Sequence, residues 1–394
     1  MSDPRYTPLR DRHEALGASF TDFGGWQMPV RYTSDLAEHH AVRQAAGIFD
    51  ISHMAEFLVT GDFAGDFLDY SLAGRLSAMA VGKAKYSLML AEDGGIIDDV
   101  IVYRLAEDRF LVIANAGNRG FVDSAFASRV RSFPSRIERE MPARAEGEER
   151  SFAGFIGDRG VDVEDVSDEY ALLAVQGPAS EAIVSSTTGI TDLGTPWDEQ
   201  KYYAWADAMF LGAPLLLART GYTGEDGFEL LVRVADAPAL WDALVDAGQK
   251  HGLVPAGLAA RDTLRLEAGM PLYGHELSRE TKPSQAGLGR VVVSDKDDFV
   301  GKGAADAASD APVLVGLVAE GKRAGRAGYS VVDADGVVLG EITSGALSPT
   351  LGHPIAMAYV APSSAAAGTA VFLDVRGTRI PATVTALPFY RRTK

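Results

Sequence analysis

The chain contains no cysteine. That excludes a thiol nucleophile, a disulfide framework, thiolate zinc ligation and cysteine-held iron–sulfur clusters in one step. Basic charge is also scarce: 37 Lys and Arg face 54 Asp and Glu, for a formal net charge of −17. Apart from the closing "YRRTK" no Lys/Arg cluster offsets this, so nucleic acid and anionic membrane are poor partners. No apolar run approaches the length of a membrane helix, and the opening "MSDPRYTPLRDRHEALG" lacks the apolar core of a signal peptide. A cytoplasmic location is the expectation. Several chemical signatures are missing as well. There is no G-x-S-x-G and no G-x-G-x-x-G. "GLVAEGKR", Gly316 to Arg323, approaches a phosphate loop, but Arg323 replaces the magnesium-holding Ser/Thr and the segment reads as a strand. His13-Glu14 and His275-Glu276 begin like zinc-protease helices, yet Gly17 and Arg279 stand where a second histidine is needed. His39 and His40 are adjacent, and adjacent helical residues point in different directions, so a shared metal is not expected.

What is present is ample apolar material. Hydrophobic residues make up 47% of 394 positions, enough to bury real cores, and the length suggests two or three domains. The stretch "FTDFGGWQMPVRYTS" is too irregular for one element. "SDLAEHHAVRQAAGIFD" reads as a helix capped by Ser34 or Asp35, with Gly47 near its end. From Glu56 to Ala114 the pattern turns to strands, with "EDGG" and "AEDR" as hairpin turns. Residues 131–168 are charged and poorly periodic, a surface excursion with a strand inside it. "EYALLAVQGP" restores a buried strand, "PALWDALVDAGQKHG" is an amphipathic helix, and "PAGLAARDTLRLEAGM" starts another behind Pro255. Beyond about residue 300 the sequence is strand-rich, as in a separate β-barrel or sandwich. The fold class is α+β with an all-β C-terminal module.

Three segments carry candidate chemistry. In "GGIIDDVIVY", Gly94 to Tyr103, Asp98 and Asp99 interrupt a strand that is otherwise apolar on both faces. Alternation predicts Ile97, Asp99, Ile101 and Tyr103 on one face, and Ile96, Asp98, Val100 and Val102 on the other. A buried carboxylate is costly unless something pairs with it. An arginine or a solvated edge would explain it; so would a substrate. "RTGYTGEDGFEL", Arg219 to Leu230, is a Gly-rich loop with Tyr222, Glu225, Asp226 and Glu229, and its plain reading is a hairpin turn. "GLAARDTLRLEAG" sets Arg261 and Arg265 four apart on one helical face, where surface ion pairing is the usual account. Together they suit a flat, hydrogen-bonding, partly anionic ligand. A carboxylate matches the adjacent N–H donors of a pterin, aromatic rings cover its faces, and arginine meets a carboxylate tail. Folate has all three features.

At these residues the chain resembles the glycine cleavage T-protein family of aminomethyltransferases. The matching segments run nearly end to end: "DFGGWQMPV", "HHAVRQAAGIFDISHMAEF", "GKAKYSLML", "GGIIDDVIVY", "LLAVQGP", "RTGYTGEDGFEL", "PAGLAARDTLRLEAGMPLYGHEL", "GEITSGALSPTLG" and "LPFYRR". The resemblance implies three domains around a central folate-binding hole. These are a discontinuous folate-binding domain over 1–50 and 135–280, an inserted domain over 51–134, and a C-terminal β-barrel over 300–394. It implies transfer of a methylene from an aminomethyl-lipoyl H-protein to tetrahydrofolate, with release of ammonia and formation of 5,10-methylenetetrahydrofolate and dihydrolipoyl H-protein. Asp99 matches the family's catalytic acid, whereas Asp98 is read as structural. Glu229 would bind the donor edge of the pterin. Tyr86, Tyr103, Asn115, Tyr202, Tyr222 and Met54 would line the pocket, and Arg261 and Arg391 would contact the folate or the arm. No metal and no nucleic-acid or membrane partner is implied, and a monomer in isolation is expected. A folate-dependent demethylase and a non-catalytic folate-binding protein share the fold and stay open. Three departures stand out: Ala55 where Gly is common, Gln285 where an acid is common, and the long excursion at 131–168.

Overall fold

The computed structural model describes residues 4–133 and 160–392. Most of the charged excursion therefore lies outside the described residues. A seven-stranded sheet runs in the order Ile190–Thr191, Trp205–Phe210, Ala213–Ala218, Gly227–Arg233, Tyr170–Gln176, Ala46–Asp50 and Leu253–Pro255. Its neighbours are antiparallel except the last pair, which is parallel. Ile48, Leu173, Val175 and Phe228 pack on one face with Ile183 and Val184 of helix Ser180–Ser185 and with Leu240, Trp241 and Leu244 of helix Ala237–Gly248.

A second sheet of five strands has the order Ala84–Leu90, Ile96–Ala106, Arg109–Ala114, Ala55–Thr60 and Asp162–Asp165. Its last strand lies past the residue-134 limit expected for the inserted unit, and pairs with Ala55–Thr60. One face, with Val100, Val102 and Val112, carries Phe67, Leu68, Val122 and Phe126 of helices Ala64–Ser71 and Arg119–Ser132. The other face meets the first sheet: Ile101, Tyr103, Leu111 and Ile113 pack with Phe49, Leu172, Ala174 and Leu231. The acidic strand is therefore covered on both sides, which accounts for its two apolar faces.

Two local expectations are corrected. The helix that opens after Ser34 ends at Gln44, and Ala46–Asp50 is a strand with all five residues buried. The apolar run from Ala45 to Phe49 fits helical spacing, but a short continuous apolar run equally suits a strand inside a sheet, and pairing on both edges decides it. Gly47 is consequently no helix cap. A Cβ there would stand 2.5 Å from Val42 Cγ2, so its place is set by packing of helix on strand. The second correction concerns the acidic strand. The register shifts between Met89 and Leu90, whose partners are Asp98 and Ile96. This bulge resets the alternation at its start: Ile96 packs with Leu88 and Leu90, and Ile97 with Val100 and Val102. The stretch "FTDFGGWQMPVRYTS" forms a hairpin of Ser19–Phe23 on Trp26–Arg31.

The C-terminal module is a closed six-stranded barrel in the order Val313–Ala319, Pro354–Val360, Val338–Leu347, Ser330–Val332, Ala370–Val375 and Thr378–Thr385. Gly316 of the phosphate-loop lookalike lies in its first strand. Closure leaves no free sheet edge. Helix Leu258–Glu267 joins barrel to sheets: Ala260 and Leu264 pack at the sheet interface, and Leu266 packs on Ile355 and Met357. No helix among the described residues is long and apolar enough to cross a membrane.

Candidate active site

Asp98 is fully buried and accepts three N–H bonds. These come from the Asn115 backbone at 2.9 Å, Asn115 Nδ2 at 2.8 Å and Asn118 Nδ2 at 2.6 Å. Asp99 accepts from Asn115 Nδ2 at 2.8 Å on Oδ1 and from the Tyr86 hydroxyl at 3.0 Å on Oδ2. The local chain explains the convergence. Tyr86 lies on the neighbouring strand, and Asn115 leaves the end of strand Arg109–Ala114 into a 3₁₀ turn. One amide thus ties together two acids whose side chains leave opposite faces of the strand. Burial, and then the charge of Asp99, pushes Asp98 up to about 8. Burial raises Asp99 above the usual carboxylate range too, against the hydrogen bonds from Tyr86 and Asn115. A raised, hydrogen-bonded carboxyl beside a second acid is suited to exchanging a proton near neutral pH.

Four residues further along the strand, about 13 Å at the usual rise, Tyr103 reaches the other sheet. Its hydroxyl lies 3.2 Å from Thr220 Oγ1 and donates to Glu229 Oε2 at 3.3 Å, while Thr220 donates to the same oxygen at 2.5 Å. Both hydrogen bonds that Glu229 accepts among the described residues fall on Oε2, leaving Oε1. The loop before Glu229 is pinned by its own chemistry: Arg219 pairs with Asp226 across its base, and Tyr222 donates to Pro271 O. Burial raises the Tyr222 hydroxyl, and Asp99 adds to the rise. Arg261 sits with its guanidinium 4.9 Å from the Tyr222 ring centre, inside cation–π range. Its Nη1 is buried with no hydrogen-bond partner. Burial lowers Arg261, while Glu229 and Tyr222 oppose the shift.

The structure thus brings Asp99, Tyr86, Asn115, Tyr103, Glu229, Tyr222 and Arg261 into one neighbourhood where the two sheets and helix Leu258–Glu267 meet. Met54 is half-buried and packs with the Tyr103 cluster. Tyr202 stands at the edge, 40% exposed, its ring 5.0 Å from that of Tyr203. Arg391 is exposed; it is the next residue, Arg392, that lies over Tyr202 at 5.5 Å and pairs with Asp226 at 3.3 Å. Arg265, paired in sequence with Arg261, points elsewhere. It forms a buried ion pair with Glu276 at 2.8 Å and donates to Ser344 of the barrel at 2.7 Å. Of the departures, Ala55 is buried in the core of the five-stranded sheet, and Gln285 donates to Pro312 O at 3.1 Å near the start of the barrel.

Some members of the neighbourhood escaped the sequence. Thr220 lies in the loop before Glu229, where a threonine beside glycine carries no signal beyond a turn. Tyr203 adopts φ of 57°, unusual for an aromatic residue and a form of strain that collects at working sites. His53, in "SHMAE", is buried with Nδ1 unpartnered, held near about 4 by burial and by the charge of Arg261. Among the described residues no group of three or more His, Asp or Glu side chains is placed to hold a metal ion.

Comparison with known proteins gives consistent matches. Residues 9–296 match the GCVT N-terminal domain, and residues 313–391 match the glycine cleavage T-protein C-terminal barrel domain. The chain is 54% identical to an aminomethyltransferase of Saccharopolyspora erythraea, with all of both chains covered. It is 52% identical to one of Cutibacterium acnes, again over all of both chains. The crystal structure of glycine cleavage system aminomethyltransferase T from Bartonella henselae superposes with a TM-score of 0.83 at 35% identity, covering 99% of each chain.

Proposed function

The chain belongs to the glycine cleavage T-protein family of aminomethyltransferases, and from that premise we propose that its acid-lined site accepts tetrahydrofolate and takes a methylene from an aminomethyl-lipoyl carrier protein. The observation that carries this reading is the Tyr86–Asp99–Asn115 arrangement: a half-buried carboxyl, raised by desolvation, with both oxygens aimed by donors. The site's polar inventory fits the ligand. Glu229 Oε1 offers an acceptor to adjacent N–H groups, and the unpartnered Arg261 Nη1 offers a buried donor to an anionic or carbonyl oxygen.

Tetrahydrofolate supplies a nucleophilic N5 and a second amine, N10. Asp99 orients N5 and, ionised, receives the proton that N5 sheds as its bond to the methylene carbon forms. The carbon–nitrogen bond of the aminomethyl group breaks, and the N5 proton leaves with ammonia by way of Asp99. N10 then displaces the carrier sulfur, its proton restores the thiol, and the methylene bridges N5 and N10. Asn115 keeps Asp99 at its station, and Tyr86 steadies the ionised form by donating to it. Tyr222 and Arg261 hold the ring's surroundings dry and fixed. No covalent enzyme intermediate is needed, so most of the acceleration comes from holding two reactants in register. Since the reactive sulfur arrives on the carrier, the absence of cysteine costs this chemistry nothing.

The test is turnover with aminomethyl-loaded carrier protein and tetrahydrofolate, following ammonia and methylenetetrahydrofolate together. Equal release of both, dependent on the loaded carrier, is expected. Folate binding with neither product would overturn the transfer and shift the reading to a folate-dependent demethylase or a binding protein.

A further inference from the structure

We propose that Arg43, on helix Asp35–Gln44, is a positioning residue for the transfer: its guanidinium fixes the loop that carries Tyr222 against the helix that carries Arg261. The inference rests on the folate-dependent transfer proposed above. Arg43 touches neither Tyr222 nor Arg261 through a hydrogen bond. It grips the residue after Tyr222 on one side and, on the other, two residues further along the helix that carries Arg261. On the loop side Nη1 donates to Thr223 O at 2.8 Å and to Glu225 Oε1 at 2.9 Å. On the helix side Nη2 donates to Glu267 Oε2 at 2.8 Å and to Leu264 O at 3.4 Å, and Nε to the same glutamate at 3.1 Å. The Tyr390 ring closes over the guanidinium at 4.1 Å, and Nε also reaches Thr350 of the barrel at 3.3 Å.

Three features separate positioning from plain structural pairing. First, the side chain is only 5% exposed, as is that of Glu225, and Glu267 is fully buried, so the bonds are shielded from water and salt. Second, Glu267 is well supplied without Arg43: it accepts from Ser348 Oγ at 2.5 Å, Thr350 N at 3.0 Å and Thr350 Oγ1 at 2.8 Å, with His39 Nε2 at 3.3 Å. Its oxygens therefore have hydrogen bonds apart from Arg43, and the arginine adds the charge and the span to the loop. Third, a planar fork with donors on two sides spans loop and helix at once, which the single nitrogen of lysine cannot do. The start of the loop is held from the sheet, where Gln176 Nε2 donates to Thr220 O at 3.1 Å and Gln176 Oε1 accepts from Thr223 Oγ1 at 3.0 Å. Gln176 thus holds the chain on either side of Tyr222, and Arg43 adds a hold on Thr223 and Glu225 just beyond it. The Tyr222 ring stands 4.9 Å from the Arg261 guanidinium. Arg43 ties this loop directly to the helix of Arg261, and so tunes the separation of the two groups assigned to the folate.

The test uses the full chain with the loaded carrier, varying each substrate in turn. Arg43→Lys keeps the charge and loses the span. The expected result is a KM for tetrahydrofolate raised about tenfold, the equivalent of one lost 1.4 kcal/mol interaction, with the KM for the carrier within about twofold of wild type. Glu225→Gln, which leaves the Glu267 side intact, should show the same split in smaller measure, and serves if Arg43→Lys does not fold. Unchanged KM for tetrahydrofolate in an active, folded variant overturns the inference while leaving the transfer reading standing. So does a fall in kcat that merely follows the folded fraction by thermal melt. A wild-type protein that neither binds tetrahydrofolate nor turns over overturns both.

Discussion

The Tyr86 hydroxyl donates to Asp99 Oδ2 at 3.0 Å across two paired strands. That bond lowers the Asp99 carboxyl against the upward push of burial. Removing it in Tyr86→Phe takes the opposing pull away, so Asp99 titrates higher. Transfer needs ionised Asp99, so activity falls as pH drops through its pKa. The acid limb of the kcat–pH profile should then move to higher pH in the variant, with activity recovering at alkaline pH. An unmoved limb would detach Tyr86 from the protonation of Asp99.

Asp99→Asn keeps the shape of the side chain and removes the base. Folate affinity should stay within a few-fold, while single-turnover methylene transfer falls about 10²-fold or more, the usual weight of a positioned general base. Transfer at the wild-type rate would sink the assignment.

Asp98 calls for a different outcome. Its two oxygens face three N–H donors. Either orientation of an asparagine there sets an NH₂ against at least one of them. Asp98→Asn should therefore cost about 1–3 kcal/mol in urea unfolding, the scale of an unsatisfied buried donor. A midpoint equal to wild type would show that the donors find other partners.

His53 provides a pH prediction for stability. It is 4% exposed and pushed down to about 4 by burial first and the charge of Arg261 second, from an ordinary 6.5. The unfolded chain binds the proton between those two values and the folded chain does not. His53 thus contributes stability above about pH 6.5 that is lost as pH falls toward 4, on the order of 3 kcal/mol. Unfolding midpoints of His53→Gln and wild type, compared from pH 7 to 4, should converge on the acid side. Parallel curves would contradict it.

Gly47→Ala tests the corrected boundary between helix and strand. The new methyl would meet Val42 Cγ2 at 2.5 Å and Ala256 Cβ at 3.3 Å. Valine is stiff at χ1 and cannot turn away, so a loss of about 1–3 kcal/mol is expected. Were Gly47 a mere helix end, the melting curve would hardly move.

The amino-acid pattern by itself determined the division into mixed sheets and a β-rich end, because Gly-punctuated runs of Val, Ile and aromatics specify short strands locally. It also marked Asp98 and Asp99 as out of place, since an acid in a doubly apolar strand violates burial energetics however the chain folds. Strand and helix periods, however, were not separable at Ala45–Phe49, where the apolar run satisfies both and sheet pairing decided. The bulge opposite Met89 and Leu90 was equally invisible, for register belongs to a pair of strands and not to either one. Roles within the site divided along the same line. Arg261 and Arg265 look alike on one helix, but neighbours distant in sequence gave Arg265 a buried partner in Glu276 and left Arg261 Nη1 without one. Asn115, seventeen residues from Asp98, joins the two acids only because one strand turns back on another. Which residue types were available was written locally; which donors meet which acceptors was decided by long-range packing, because hydrogen bonds form between groups that folding, not sequence, makes adjacent.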